Sequence, residues 1–150
     1  MTTAVTIDRP READYPEWRR LYQGYAEFYR VPMDDAIARR LWGWLHDPDH
    51  VMEAFVARDE GGRPIGLAHF RAMPRPLAAG YLGFLDDLFV DPAARGGEVG
   101  RALLEAVRAE ARRRGWPKVR WITAETNYRA RGLYDRCANR THWVTYEMEA

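Results

Sequence analysis

Over the first third of the chain, apolar and aromatic side chains recur at helical spacing. Trp18, Leu21, Tyr22, Tyr25, Phe28 and Tyr29 fall on one stripe. Asp14 is placed to cap that helix, with Glu17 three residues on as the second half of a capping box, and Pro32 is placed to end it. Asp34 can cap a second helix through Ile37, Leu41, Trp42 and Leu45, stopped at Asp47-Pro48. Val5 to Ile7 can form a short strand ahead of both.

The pattern then shortens to strand-like runs. Met52 to Arg58 and Ile65 to Phe70 flank the turn Asp59-Glu60-Gly61-Gly62 and predict a hairpin. Pro74 and Pro76 predict a loop. Tyr81 to Val90 is a long apolar strand interrupted by Asp86-Asp87, and Asp91 to Gly97 is a loop that opens a third helix. That helix buries Val99, Ala102, Leu103, Ala106 and Val107. Arg112, Arg113 and Arg114 complement its C-terminal dipole, and Gly115 followed by Pro117 supplies the stop. Val119 to Thr123 is predicted as a strand, Asn127 to Arg136 as a short helix and Trp143 to Met148 as a final, alternating strand. The order β-α-α-β-β-β-α-β-α-β predicts an α/β (α+β) chain with a mixed sheet, antiparallel early and parallel where a helix separates two strands. With no repeat, linker or low-complexity tract, residues 1–150 read as one domain.

Composition narrows the functional classes. The chain is 47% apolar, 30% charged and 13% aromatic, a globular rather than a disordered profile. A formal charge of +1 gives no general pull toward nucleic acid or membrane. The single cysteine, Cys137, permits no internal disulfide, which fits a reducing compartment. No basic segment followed by an apolar run opens the chain, and no stretch approaches the roughly 18 apolar residues of a membrane span. A cytoplasmic protein is expected. The last strand and the many aromatics are compatible with a homodimer.

The stretch with most chemical content runs from Leu85 to Leu104. A buried strand enters a glycine-bearing turn and then a helix, whose first amides have no intrahelical acceptor and attract an anion. Arg95 and Arg101 add positive charge, and glycines let the backbone approach phosphate closely. The required spacings of a P-loop and of a dinucleotide fingerprint are missing.

This stretch resembles motif A of the GNAT superfamily of acetyltransferases, whose pattern of Arg or Gln, two residues, Gly, one residue, then Gly or Ala falls on Arg95, Gly96, Gly97, Glu98, Val99 and Gly100. Glu98 departs from it, standing where the family's first glycine stands. Downstream, Asn127, Ala130, Leu133 and Tyr134 match family motif B in register. The aromatic first helix and the ending Leu133 to Ala138 look similar to yeast-type histone and polyamine acetyltransferases. The resemblance implies a mostly antiparallel mixed sheet of six to seven strands flanked by four helices. It also implies acetyl-CoA as co-substrate, a primary amine as acceptor and direct transfer in a ternary complex. It places Leu88, Phe89, Val90, Arg95, Gly96, Gly97, Val99, Gly100, Arg101, Ala102 and Asn127 on the cofactor, and gives Tyr134 the role of proton donor to the CoA sulfur. Asn127 can alternatively serve as a helix N-cap.

The acceptor amine must lose a proton before it attacks. Asp86 and Asp87 break an apolar strand beside the loop, and successive strand residues face opposite ways, so one of them is expected to face the cleft as base or amine-orienting group. Tyr25, Glu27, Phe28 and Tyr29 are candidates for an acidic, aromatic acceptor pocket that favours a cationic amine, small or peptidic. No metal is expected: Pro48 separates His46 from His50, and no third ligand lies close in sequence. His69 and His142 are expected to be structural and Cys137 buried. The rival classes are a non-catalytic acyl-CoA binding or sensing module and an RNA- or chromatin-binding domain, the latter opposed by the near-zero charge.

Overall fold

The computed structural model describes residues 4–96 and 98–150. Strand β1 (Thr6–Asp8) precedes helices α1 (Tyr15–Phe28) and α2 (Asp35–His46). Strands β2 (Met52–Arg58), β3 (Pro64–Arg75) and β4 (Gly80–Val90) follow, then helix α3 (Val99–Arg113), β5 (Val119–Arg120) and helix α4 (Tyr128–Cys137). The strands form one sheet in the order β1-β2-β3-β4-β5, antiparallel up to β4 and parallel between β4 and β5. The mixed sheet and its helices are as expected, but the described sheet has five strands, not six to seven. The predicted strand over 143–148 pairs with no strand among the described residues. Trp143 is 79%, Tyr146 90% and Met148 95% exposed. Alternation prepares a segment for a ladder, but the ladder needs a second strand to share its hydrogen bonds.

Two apolar layers cover the sheet. On one face Leu67 and Phe89 pack with Trp18 and Leu21 of α1 and Ala38 of α2. On the other, Ala68, Phe70 and Leu85 pack with Val99, Leu103 and Val107 of α3. Covered on both sides, β3 is buried continuously from Pro64 to Phe70.

Several local expectations are corrected. Asp14 precedes α1, but its side chain makes no cap bond. Arg58 forks onto both of its oxygens at 2.7 and 2.6 Å and the Arg11 amide takes a third bond, so the charge pair outcompetes the capping box. Glu17 instead accepts from Arg20 and Arg63. Helix α1 ends at Phe28, ahead of Pro32, in a reversal made by Arg30 at φ 56°. There the Val31 amide returns to the Ala26 carbonyl at 2.9 Å, satisfying the helix end without proline. Asp34 does cap α2, accepting from the Ile37 amide at 2.8 Å. Strand β3 runs through Pro74 to Arg75, because β4 matches it in register from Gly80 and the loss of one donor near a hairpin tip is tolerated.

Candidate functional site

The site originates in an irregularity of β4. Its register with β3 pairs His69 with Asp87 but Phe70 with Leu85, leaving Asp86 as an extra residue in a bulge. The bulge flips the alternation: Leu85 packs toward α3, whereas Asp87 turns toward α1. Past the bulge β4 leaves its parallel neighbour. The β4–β5 ladder consists of Gly83 with Val119 and Phe84 with Arg120, so β5 is shorter than the predicted 119–123. From Leu85 to Val90 that edge of β4 has no strand partner among the described residues, and a cleft of about 340 Å³ opens there.

Helix α3 closes one end of the cleft. Its ladder begins with the Ala102 amide bonding the Glu98 carbonyl at 2.9 Å, so the amides of Val99, Gly100 and Arg101 precede the ladder at the positive end of the helix. Gly96 has φ 87° and needs glycine, whereas Glu98 at φ 67° is a left-handed non-glycine residue. A Cβ on Gly100 would lie 3.2 Å from the Leu133 side chain, so the glycine lets α3 and α4 meet across the cleft floor. Arg95, Arg101, Arg129 and Arg136 line the cleft, a concentration of positive charge suited to phosphates.

Of the residues predicted for a cofactor, Leu88, Phe89, Val90, Arg95, Gly96, Val99, Gly100, Arg101, Asn127 and Tyr134 line the cleft. Ala102 lies one helical turn inside α3 and does not, and Gly97 is outside the described residues. Asn127 is not a side-chain cap; its amide donates to Thr123 Oγ1 at 3.0 Å and ties the start of α4 to the strand that left the sheet. Tyr134 lies against Trp121, ring centroids 5.3 Å apart at a steep angle, and burial pushes its phenol up to about 12. Its proton therefore stays in place throughout the neutral range.

The two aspartates separate sharply. Asp86 lines the cleft, half-buried; burial raises its pKa while Arg71, 3.0 Å away, opposes the rise. Asp87 does not line it. Asp87 accepts from His69 at 2.8 Å and from the Tyr22 hydroxyl at 3.1 Å. Burial alone would raise it, but the bond from His69 and the tyrosine hydroxyls outweigh that and hold it below the usual carboxylate value. Of the acceptor candidates, Tyr25, Phe28 and Tyr29 wall the cleft, while Glu27 points to solvent and accepts from Gln23.

His69 is fully buried, as a structural histidine should be, whereas His142 lies exposed in the unpaired tail and Cys137 is half-buried. Among the described residues no three His, Cys, Asp or Glu side chains gather as metal ligands. No helix is long and apolar enough to cross a membrane. Trp121, Ile122, Thr123 and Arg129 also line the cleft and were not expected. The first three read in sequence as ordinary strand, and only the parting of β4 from β5 brings them to the site.

Comparison with known proteins agrees with this architecture. The acetyltransferase (GNAT) family profile matches residues 18–138. The D-amino-acid N-acetyltransferase HPA3 of Saccharomyces cerevisiae is 32% identical over 144 residues, covering 95% of this chain and 89% of that protein. The ribosomal-protein-alanine N-acetyltransferase of Brucella melitensis biovar Abortus 2308 superposes with a TM-score of 0.83 at 26% identity, over 98% of this chain and 99% of that one. The aminoglycoside N-acetyltransferase AAC(6')-Iy, in a structure with CoA, shares the fold with a TM-score of 0.81 at 19% identity, over 99% and 97% of the two chains. With a bulged β4, a cleft where β4 and β5 part and a family match across most of its length, the chain belongs to the GNAT family and is an acyl-CoA-dependent N-acetyltransferase.

Proposed function

We propose that residues 1–150 work as a single cytoplasmic domain, in a homodimer, that transfers an acetyl group from acetyl-CoA to a primary amine held in the same complex. The observation that carries this reading is the parting of β4 and β5, which brings an open strand edge, a helix N-terminus, Asp86 and Tyr134 into one cleft. The α3 amides near Val99 to Arg101, with the surrounding arginines, hold the pyrophosphate. The open edge at Leu88 and Val90 bonds the pantetheine amides as a neighbouring strand would, and Asn127 flanks the arm. A backbone amide of that edge polarises the thioester carbonyl.

Asp86 takes the proton of the incoming ammonium, directly or through a water. An amine with pKa near 10 is only about one part in a thousand neutral at pH 7, which makes that removal necessary. The amine nitrogen then bonds the carbonyl carbon, the carbon–sulfur bond breaks, and the Tyr134 hydroxyl supplies the proton that the departing sulfur needs; the nitrogen sheds its second proton to solvent as the amide forms, and solvent returns one to the tyrosine. Tyr25, Phe28 and Tyr29 form the aromatic wall beside the acceptor. Asp87 serves by holding β4 against α1.

Among primary amines, a free amino acid is favoured over a polyamine or a lysine side chain. Arg71 and Asp86 place opposite charges 3.0 Å apart beside the cleft, so an acceptor carrying both an ammonium and a carboxylate finds a partner for each. The activity in the name of the yeast relative points the same way. The test is thiol release from acetyl-CoA against D- and L-amino acids, polyamines, aminoglycosides and basic peptides. Release with amino acids at the highest kcat/KM is expected. CoA binding with no release for any amine would make the chain an acyl-CoA sensing module instead, and a preference for polyamines would remove Arg71 from the acceptor site.

A further inference from the structure

Asp87 has more donors than its structural task requires. His69 Nδ1 at 2.8 Å ties the carboxylate to β3, and the Tyr22 hydroxyl at 3.1 Å ties it to α1. The Tyr25 hydroxyl is a third donor to it. Tyr25 lines the cleft, whereas Asp87 does not. The Tyr22 and Tyr25 rings stack with centroids 5.6 Å apart and planes 13° apart, three residues along one helix face, so both phenols reach the same carboxylate. Gly24 permits the close approach. A Cβ there would lie 2.9 Å from Cζ of Phe89, so a larger residue would force α1 or the Phe89 ring aside. Glycine is unfavourable inside a helix, and here it brings α1 against β4 at the level of Tyr25.

The Tyr25 hydroxyl has one proton and two acceptors within reach: the Asp87 carboxylate and, at a long 3.5 Å, the Asp86 carbonyl. A carboxylate is the stronger acceptor, so the proton points inward to Asp87. Burial and the charge of Asp87 both push the phenol's pKa up, so that proton stays. Toward the cleft Tyr25 therefore presents an oxygen that can only accept, strengthened by the anion behind it. Resting on the acetyl-transfer reading above, we infer that this oxygen accepts a hydrogen bond from the one N–H of the acceptor that survives the reaction, and that Tyr25 thereby makes the enzyme select primary over secondary amines.

The count of hydrogens on nitrogen makes the case. A primary ammonium carries three. Asp86, on the same stretch of cleft wall as Tyr25, takes the first. Solvent takes the second as the amide forms, and the third remains in the product. Only that third hydrogen can keep one partner from the bound ammonium through to the amide. A secondary ammonium carries two hydrogens, and both leave. Its extra carbon stands where the third hydrogen would, against the Tyr25 oxygen, and the half-buried acceptor loses its partner. Turning the amine to move that carbon elsewhere takes the nitrogen lone pair off the thioester carbon. Asp87 acts here as a positioning residue, since it reaches the amine only through the phenol it aims.

The test compares thiol release from acetyl-CoA with two acceptors: whichever D- or L-amino acid gives the fastest release, and its N-methyl derivative. Wild-type protein should prefer the primary amine. Tyr25→Phe keeps the ring against Tyr22 and removes the oxygen. Its kcat/KM with the primary amine should fall about tenfold, the worth of one hydrogen bond, while the N-methyl acceptor is used as before. The preference shrinks by the same factor, with CoA affinity by calorimetry unchanged. Asp87→Asn, which no longer fixes the phenol proton inward, should narrow the preference as well, and a full wild-type preference in that variant would overturn the role of Asp87. An equal fall on both acceptors in Tyr25→Phe would overturn the selective bond and leave Tyr25 as wall alone. So would a gain with the N-methyl acceptor at unchanged primary activity, which would make the hydroxyl a steric bump. Wild-type protein that binds CoA but releases thiol with no amine would instead remove the acetyl-transfer reading, and this bond with it.

Discussion

His69 joins Trp18 to Asp87: the indole N–H donates to Nε2 at 3.0 Å and Nδ1 lies 2.8 Å from the carboxylate. Indole nitrogen is a donor only, so Nε2 accepts, Nδ1 carries the hydrogen and the ring is neutral. The three side chains bolt α1 to β3 and β4 directly behind the bulge. His69→Ala leaves a buried indole N–H and one bond of Asp87 unmet and opens a cavity, so a loss of about 3 kcal/mol is expected in urea unfolding. A loss under about 1 kcal/mol would show that the chain of bonds does not hold the two layers together.

Tyr134 keeps its proton because burial pushes its pKa to about 12. Tyr134→Phe preserves the ring against Trp121 and removes only the hydroxyl. If the phenol protonates the departing sulfur, kcat falls by about 10²-fold with donor affinity little changed. Steady-state kinetics with a series of acyl thioesters gives a second check, since the deficit should shrink as the leaving thiol becomes more acidic. Full activity in the variant would reassign the acid.

Asp86 is pushed above the usual aspartate value by burial, with Arg71 restraining the rise. As base it must be ionised, so kcat/KM should climb as pH rises through this elevated pKa and fall away below it. Asp86→Asn should lose that acid limb and about 10²-fold in kcat/KM. A pH–rate profile with an identical acid limb in the variant would assign the limb to the amine itself.

Much of this arrangement is legible in the order of residues alone. The 3.6-residue stripe from Trp18 to Phe28, the Asp34 cap and the loop from Asp91 into α3 predict elements that form where expected, because each depends on neighbours in sequence. What stays hidden depends on partners far along the chain. The Asp14–Arg58 fork spans 44 residues and overrides a capping box readable from local sequence. The bulge at Asp86 exists only in the register against β3, so alternation along β4 does not distinguish Asp86 from Asp87. For the same reason Trp121 to Thr123 read as plain strand, and the tail reads as a strand that finds no partner among the described residues.

Glu98 holds φ 67° at the place where the family pattern has glycine, at the mouth of the cleft. Relief of the left-handed strain in Glu98→Gly outweighs the added freedom of the unfolded chain, and a stabilisation of about 1 kcal/mol is expected. The same change removes a carboxylate from among arginines meant for phosphate. CoA titrated by calorimetry should bind several-fold more tightly to the variant, and unchanged affinity would mean that the Glu98 carboxylate turns away from the diphosphate.

Acid should unfold this protein through one cluster in particular. Glu110 accepts from Arg113 and, at 2.8 Å, from Arg114, which also bonds Glu53 at 2.7 Å; hydrogen bonds from the two arginines hold Glu110 at about 2. A depressed carboxylate stabilises the fold fully above its unfolded value, 4.5, and that contribution drains as pH falls toward 2. The urea midpoint is therefore expected to hold steady down to about pH 5 and drop steeply below it. Arg114→Gln keeps a polar side chain of similar reach but removes the charge, and should flatten the slope between pH 4.5 and 2 while lowering stability at neutral pH. An equally steep slope in the variant would place the acid-sensitive charges at the other buried pair, Asp14 with Arg58, whose carboxyl is likewise held low by its arginine.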